Sequence, residues 1–446
     1  MGRPSKVAGY PGSMRPPDEL PPVEEPSRRS RAASLIRRSV LDLTPLRESR
    51  DFRLLWIGEL VSHTGRHITV VALPFQVWEL THSPLALGLI GLVQVGPLIA
   101  FSLIGGALAD AIDRRRLLIL SQVGSMTASL MLVWGAVVGD PPLWFLYVAA
   151  ALSATFAALD APTRTAAIPR LVPKDRISSA IALNQVMFQV NDVAGPALGG
   201  VIIATLGLTW AYAIDAVTFL AAIWALLLMR PMPPEEDGER PPVLRSVREG
   251  FAYLKGRRVL QSTFLVDLNA MIFGMPRALF PVLAEEAFHV GPAGLGLLYA
   301  APGAGALVGA LLTGWVRHIR HQGRAVLWAV AIWGLAIVGF GLSTEAFVLA
   351  LVFLAIAGAA DVISAIFRGT ILQSSVPDRL RGRLSGIHIM VVVGGPRLGD
   401  VEAGVVGQLV SPVFSVVSGG VACVAGVGLL ALAVPRFRRY HGGEPA

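Results

Sequence analysis

The chain has 446 residues, of which 54% are hydrophobic and 15% charged, with a mean hydropathy of +0.62. A soluble domain carries about 25% charged residues, so this composition excludes a soluble globular enzyme and describes a chain that crosses a membrane many times. The net charge of +8 does not point to a nucleic-acid partner, because the arginines gather in short loops between apolar segments.

Residues 1–50 are rich in Pro, Ser, Arg and Glu and lack apolar periodicity, so they read as a disordered cytoplasmic tail. Twelve apolar segments follow, at 53–79, 85–109, 115–138, 143–168, 178–205, 208–229, 260–284, 293–316, 324–342, 346–370, 383–408 and 412–434. Each approaches the ~20 residues that a helix needs to span hydrocarbon. The expected fold is an all-α membrane protein of twelve transmembrane helices, as two parallel six-helix repeats around a central cavity. The halves are 51–229 and 260–434, joined by a cytoplasmic linker at 230–259 and followed by a cytoplasmic tail at 435–446. Within the linker, Leu244, Val247, Phe251 and Leu254 recur at helical spacing with Arg and Glu between them. That pattern predicts an amphipathic helix on the inner membrane face. The single cysteine, Cys423, lies in the last apolar segment, which excludes an intrachain disulfide and a cysteine-based metal site.

The turns fix an orientation. Those near 81–84, 139–142, 206–207, 285–292, 343–345 and 408–412 contain no Lys or Arg, whereas Arg114 to Arg116, Arg170 to Arg176, Arg245 to Arg258, Arg317 to Arg324 and Arg379 to Arg383 fall in the alternate loops. The positive-inside rule places the arginine-rich loops and both termini in the cytoplasm of a cell membrane.

Internal repetition supports the two halves. Gly106-Ala107-Leu108-Ala109-Asp110 returns in degenerate form at Gly309-Ala310-Leu311-Leu312-Thr313, and Arg164 maps onto Arg368. Val172-Pro173-Lys174-Asp175-Arg176 matches Val376-Pro377-Asp378-Arg379, and Gly195-Pro196-Ala197-Leu198-Gly199-Gly200 matches Gly395-Pro396-Arg397-Leu398-Gly399-Asp400. The matches occur in the same order, so the repeat is parallel.

Over about 52–434 the chain resembles the major facilitator superfamily. The loop from Gly106 to Arg116 resembles that family's signature between its second and third helices, and Gly195-Pro196 with Gly199-Gly200 resembles the fifth-helix signature of its exporter branches. Phe52-Arg53-Leu54-Leu55-Trp56 and the run from Asp160 to Pro173 are similar to the enterobactin-exporter branch. The resemblance implies that Asp110 and Arg114 act in a gate between the halves, where a carboxylate can accept charge-assisted hydrogen bonds. It also implies that Gly195, Pro196, Gly199 and Gly200 form a bend that favours export, and that the first, fourth, seventh and tenth helices line the cavity. Asn191 and Ala111 depart from the usual pattern.

Ionisable residues inside a membrane are functional candidates by default. Glu59, Asp160, Asp192, Asp267 and Asp361 are the candidates for proton coupling, and His63, Arg66, Arg277 and Arg397 for the substrate cavity. Glu59, His63, Arg66 and His67 share one face of the first helix. Counted from the loops, Glu59, Asp160 and Asp267 lie at similar depth, in the inner third, where they could meet across the cavity. Arg164 and Arg368 sit close to the inner surface, as structural residues. His63 and His67 lack a third convergent ligand, so no metal or cofactor is expected. The sequence contains neither a phosphate-cradling loop nor a nucleophilic triad, which points away from an enzyme. The expected activity is secondary active export of a small organic molecule, such as a siderophore, a macrolide-like compound or a drug, by proton antiport and alternating access. The expected state is a monomer whose partners are that substrate, protons and the lipid bilayer. Uptake symport, facilitated passage, or a non-transporting receptor or anchor are the alternatives.

The orientation makes a direct prediction. In a Cys423→Ala background, an Asp237→Cys variant should react with a membrane-impermeant thiol reagent only after cells are permeabilised. Labelling in intact cells would reverse the topology.

Overall fold

Among the described residues the long segments are α-helices, because every backbone donor and acceptor in hydrocarbon must be paired within its own segment. The computed structural model describes Gly2, residues 42–234 and residues 243–441, without the side chains of several residues in the stretches 103–110, 243–247, 315–318 and 378–389. Residues from Leu43 onward form one compact unit, while residues 1–42 form a separate one in which only Gly2 and Asp42 are described. The expected tail at 1–50 therefore falls largely outside the described residues.

The helices of the first half are α1 (Arg50–Thr81), α2 (Pro84–Ala111), α3 (Arg114–Val138), α4 (Leu143–Leu171), α5 (Ile177–Leu206) and α6 (Leu208–Leu228). A helix at Val243–Leu254 precedes the second half. There follow α7 (Arg258–Phe273), α8 (Gly291–Leu311), α9 (Gln322–Leu342), α10 (Phe347–Ser375), α11 (Asp378–Leu409) and α12 (Pro412–Ala433). Ten of these helical stretches are long and apolar enough to cross a membrane. The other two, α1 and α11, have 32 residues each but carry more polar side chains.

Short polar caps set the ends. Ser83 accepts from the Ala86 N–H and Ser411 from the Phe414 N–H, each ahead of a proline in the first turn. Asp113 caps α3 through the Arg116 N–H at 3.1 Å. His82 ends α1 in a left-handed conformation.

The two halves use the same helix pairs. In the first, α1 packs on α5 and α6, α4 on α2 and α3, and α3 on α6; in the second, α7 packs on α11 and α12, α10 on α8 and α9, and α9 on α12. Lipid-like surroundings supply no hydrophobic drive between helices, so association depends on close packing of small residues. Gly399 follows this rule, since a Cβ there would lie 2.6 Å from the Ile272 carbonyl oxygen of α7.

The span expected at 260–284 is present over Arg258–Ala287 and is interrupted along its length. Helix α7 stops at Phe273 and resumes as a 3₁₀ turn at Arg277–Leu279 and a wider turn at Leu283–Ala287. Pro276 and Pro281 lack the N–H groups that would continue the ladder. The freed backbone groups find side-chain partners. Trp333 Nε1 donates to the Gly274 carbonyl at 2.6 Å, Tyr299 Oη to the Arg277 carbonyl at 3.1 Å, and the Ala278 N–H to Asp400 Oδ1 at 3.1 Å.

The halves meet along α2–α11 and α5–α8, at the end of the bundle whose turns lack arginine. Four glycines allow backbone contact there. A Cβ on Gly88 would lie 2.8 Å from the Asp400 carbonyl oxygen, and one on Gly404 would lie 2.8 Å from the Gly88 Cα. On the other seam, a Cβ on Gly200 would lie 2.6 Å from the Pro292 carbonyl oxygen, and one on Gly296 would lie 2.6 Å from that of Pro196. Ser83 Oγ and Gln408 Oε1 at 2.8 Å, and Trp78 with Glu285, complete this closed end.

Overpacking such a contact costs about 1–3 kcal/mol, and 1.4 kcal/mol shifts a population about tenfold. A Ser83→Cys/Gln408→Cys pair in a Cys423→Ala background should therefore cross-link readily, and adding Gly88→Val should cut the yield severalfold. An unchanged yield would show that the seam does not hold this end shut.

Candidate functional site

Charged side chains gather in two buried clusters, one in each half. In the first half, the Arg164 guanidinium of α4 pairs with Glu59 of α1 and with Asp160, one turn earlier on α4. Glu59, Asp160 and Arg164 are all buried. Gln122 of α3 donates to Asp160 Oδ1 at 3.0 Å, and His63 Nδ1 lies 2.9 Å from Glu59 Oε1. In the second half, Arg368 of α10 pairs with Asp267 of α7 and reaches Asp361 Oδ1 at 3.5 Å, with His388 Nδ1 of α11 at 3.6 Å from Asp267 Oδ2. Each cluster joins the first and fourth helices of its half through an arginine.

This arrangement corrects one expectation. Glu59 and Asp160 do meet, through Arg164, but Asp267 joins the other half's cluster with Arg368. Equal depth along the helices does not make them neighbours, because the first and seventh helices belong to separate bundles. Arg164 and Arg368, expected as structural residues, stand buried at the centres of the clusters.

Between the halves lies a cavity of about 370 Å³, lined by α1, α2, α5, α8, α10, α11 and the turn that follows α7, with no residue of α4, which the resemblance had implied. Its polar lining comprises His67, Gln189, Asp192, Arg277, Tyr299, Asp361, Arg397 and Asp400. Arg277 is exposed and has no side-chain hydrogen bond or ion pair among the described residues. It opens the 3₁₀ turn that follows the break in α7. Arg397 Nη1 lies 3.4 Å from Asp400 Oδ2. Pro196 also lines the cavity, and a Cβ on Gly195 would lie 2.3 Å from His67 Cβ. Glycine at 195 therefore lets α5 approach the histidine, while Gly199 does the same beside Ile68.

The cavity connects to both clusters. Asp192 Oδ1 lies 3.3 Å from His67 Nε2; the His67 and His63 rings are 5.1 Å apart; and His63 reaches Glu59. In the second half the link is direct, since Asp361 both lines the cavity and faces Arg368.

Other expected site residues fall elsewhere. His63 and Arg66 are absent from the cavity lining. His63 stacks edge-on against Phe188, and the Arg66 guanidinium lies 5.9 Å over the Phe219 ring of α6, with its Nη2 buried and unpaired. The Arg114 guanidinium donates to the Ala166 carbonyl at 3.1 Å, and its backbone N–H to that of Met232. The Asp110 side chain lies outside the described residues. Sequence reasoning also missed Asp215 of α6, which is buried and accepts from Thr69 at 2.6 Å and Ser129 at 2.7 Å. It was readable by the same intramembrane rule that found the other carboxylates. His388, inside the expected span 383–408, was readable in the same way, whereas Tyr299 gave no such signal.

Residues 41–440 match the transmembrane secretion effector family. The chain belongs to this family, within the major facilitator superfamily. Curated relatives include the enterobactin exporters of Citrobacter koseri, 30% identical, and Shigella boydii, 29% identical, each over 407 residues, 91% of this chain and 97% of the relative. Among solved structures, a nucleoside transporter superposes with a TM-score of 0.72 at 12% identity over 87% of this chain and 99% of that one. A bacterial homologue of the human lysosomal transporter Spinster, inward-facing and unoccupied, superposes with a TM-score of 0.65 at 16% identity over 87% of this chain and 95% of that one. These structures share the fold. The family member described here is thus a multi-pass membrane transport protein.

Removing one partner of a buried ion pair costs about 3–5 kcal/mol. Arg164→Ala should accordingly lower the unfolding midpoint in detergent far more than Glu59→Gln does. The Arg164→Ala/Glu59→Gln double variant should recover part of the loss, since it strands one fewer carboxylate. Equal midpoints for Arg164→Ala and the wild type would mean that the cluster does not join α1 to α4.

Proposed function

We propose that this protein exports a small organic molecule from the cytoplasm, driven by inward movement of protons. The observation that carries the reading is the cavity between the halves, in which an unpaired cation, Arg277, faces the carboxylates Asp192 and Asp361. Small-molecule pockets are typically ~300–1,000 Å³ with a few placed polar groups, and this one fits that description. Arg277 and Arg397 favour a cargo with anionic or phenolic oxygens, a chemistry common among siderophores. The enterobactin exporters' similarity over nearly their whole length supports the direction of transport. The arginine-rich end faces the cytoplasm by the positive-inside rule.

The reading assigns different tasks to the carboxylates. Glu59, Asp160 and Asp267 are held by arginines and maintain each half. Asp361 and Asp192 are open to the cavity and exchange protons with it. Asp361 carries the coupling, because its proton controls how strongly it holds Arg368. In the first half, Asp192, His67 and His63 form a row of titratable groups leading towards Glu59. Rocking of the halves about the glycine seams then exposes the cavity alternately.

Proteoliposome flux of enterobactin under an imposed pH gradient tests this. Asp361→Asn should reduce gradient-driven export at least tenfold and leave cargo binding within about threefold of wild type. Arg277→Ala should instead raise KM about tenfold, the loss of about 1.4 kcal/mol of binding. An ionophore that dissipates the gradient should stop net export. If Asp361→Asn and Asp192→Asn both export at the wild-type rate with unchanged pH dependence, protons are coupled elsewhere.

A further inference from the structure

A second cavity, of about 660 Å³, opens on the side of the second half, between the start of α9 and the end of α12. Its walls differ along its length. Deeper in the membrane it is apolar, with Leu327 and Trp328 on α9 facing Val427 and Ala431 on α12. At the arginine-rich end it is lined by Arg324, Arg438 and Arg439, together with two histidines. The three arginines are exposed, and none has a side-chain hydrogen bond or ion pair among the described residues. No carboxylate lines the cavity among those residues.

The cationic end is built, not incidental. The short helix Pro435–Arg438 folds back against α9, with Phe437 fully buried. Gly323 makes this possible, because a Cβ there would lie 1.8 Å from the Phe437 carbonyl oxygen. Tyr440 and Ser375 hydroxyls, 2.8 Å apart, fix the same segment to α10. The result brings Arg438 and Arg439 beside Arg324 in the first turn of α9. The first backbone N–H groups of α9 have no side-chain cap, and they add partial positive charge at this point. Trp328 is 66% exposed on the lipid-facing wall below.

A free anion would use the arginines and leave the apolar trough without purpose. A purely apolar ligand would leave three cations clustered against their mutual repulsion. We propose that the groove holds one anionic phospholipid, with its phosphate among Arg324, Arg438 and Arg439 and an acyl chain along Leu327 and Trp328. Cations placed at the membrane edge attract anionic headgroups, and the arginine fork suits a phosphate. The bound lipid clamps the C-terminal segment to α9 and so steadies the outer wall of the second half.

Native mass spectrometry of the full-length protein in mild detergent tests this with three probes: phosphatidylglycerol, phosphatidylcholine and inorganic phosphate. Wild type should retain one phosphatidylglycerol molecule against dilution. Arg324→Gln/Arg438→Gln/Arg439→Gln, which alters only exposed side chains, should bind it at least tenfold more weakly. Trp328→Ala should weaken it severalfold with the arginines intact. Equal retention by the triple variant and wild type would overturn the proposal. Equal binding of phosphatidylcholine would reduce the site to an apolar groove, and displacement of the lipid by an equimolar concentration of inorganic phosphate would reduce it to a free-anion site; either result also overturns it.

Discussion

An arginine buried between helices has to be neutralised where it stands, and this requirement organises both halves of the protein. Arg164 and Arg368 are almost fully buried, and each draws carboxylates from its own helix and from the first helix of its half. Charges of this kind cost several kcal/mol when unpaired. Glu59 and Asp267 are therefore committed to holding α1 against α4 and α7 against α10. What remains for transport are the groups that no arginine holds fully, chiefly Asp192, Arg277 and Asp361 around the central cavity.

The halves share this plan but execute it unequally. In the first half the cavity communicates with the buried arginine through two histidines, with α1 continuous from Arg50 to Thr81. In the second half α7 breaks at Gly274, and one carboxylate, Asp361, touches both the cavity and Arg368. The break places Arg277 in the cavity and ties its backbone to Asp400 and Tyr299. Duplication set the helix pairs, and local changes at prolines and charged positions made the two sides chemically distinct.

Much of this was legible in the sequence, for a physical reason. Hydrocarbon forces regular helices, so hydropathy and the repeated motifs were enough for twelve spans in two halves. The partnerships between side chains were not legible, because they depend on which helix faces which. On α1, Arg66, Glu59, His63 and His67 spread over an arc of about 100° at 100° per residue. Sequence periodicity treats that arc as one face. In the folded protein its His67 edge meets the cavity and its Arg66 edge meets α6 beside Phe219. Likewise Glu59 and Asp267 have the same depth but separate bundles. The break in α7 was readable from Pro276, yet an apolar stretch of sufficient length concealed it.

The glycine seams carry an evolutionary consequence. At Gly200 and Gly296, and at Gly88 and Gly404, backbone rests against backbone, so each position is crowded by its partner's main chain and by the residues four before it. A side chain at either position collides with atoms that no rotamer can move. Substitutions here are strongly epistatic. A larger residue on one helix becomes tolerable only after the opposing helix has shifted, and that shift changes how firmly one face of the protein closes. Tuning of the opening equilibrium along these lines thus proceeds by coupled changes across the two halves, which makes the seam slow to diverge even while the cavity beside it is free to acquire new cargo.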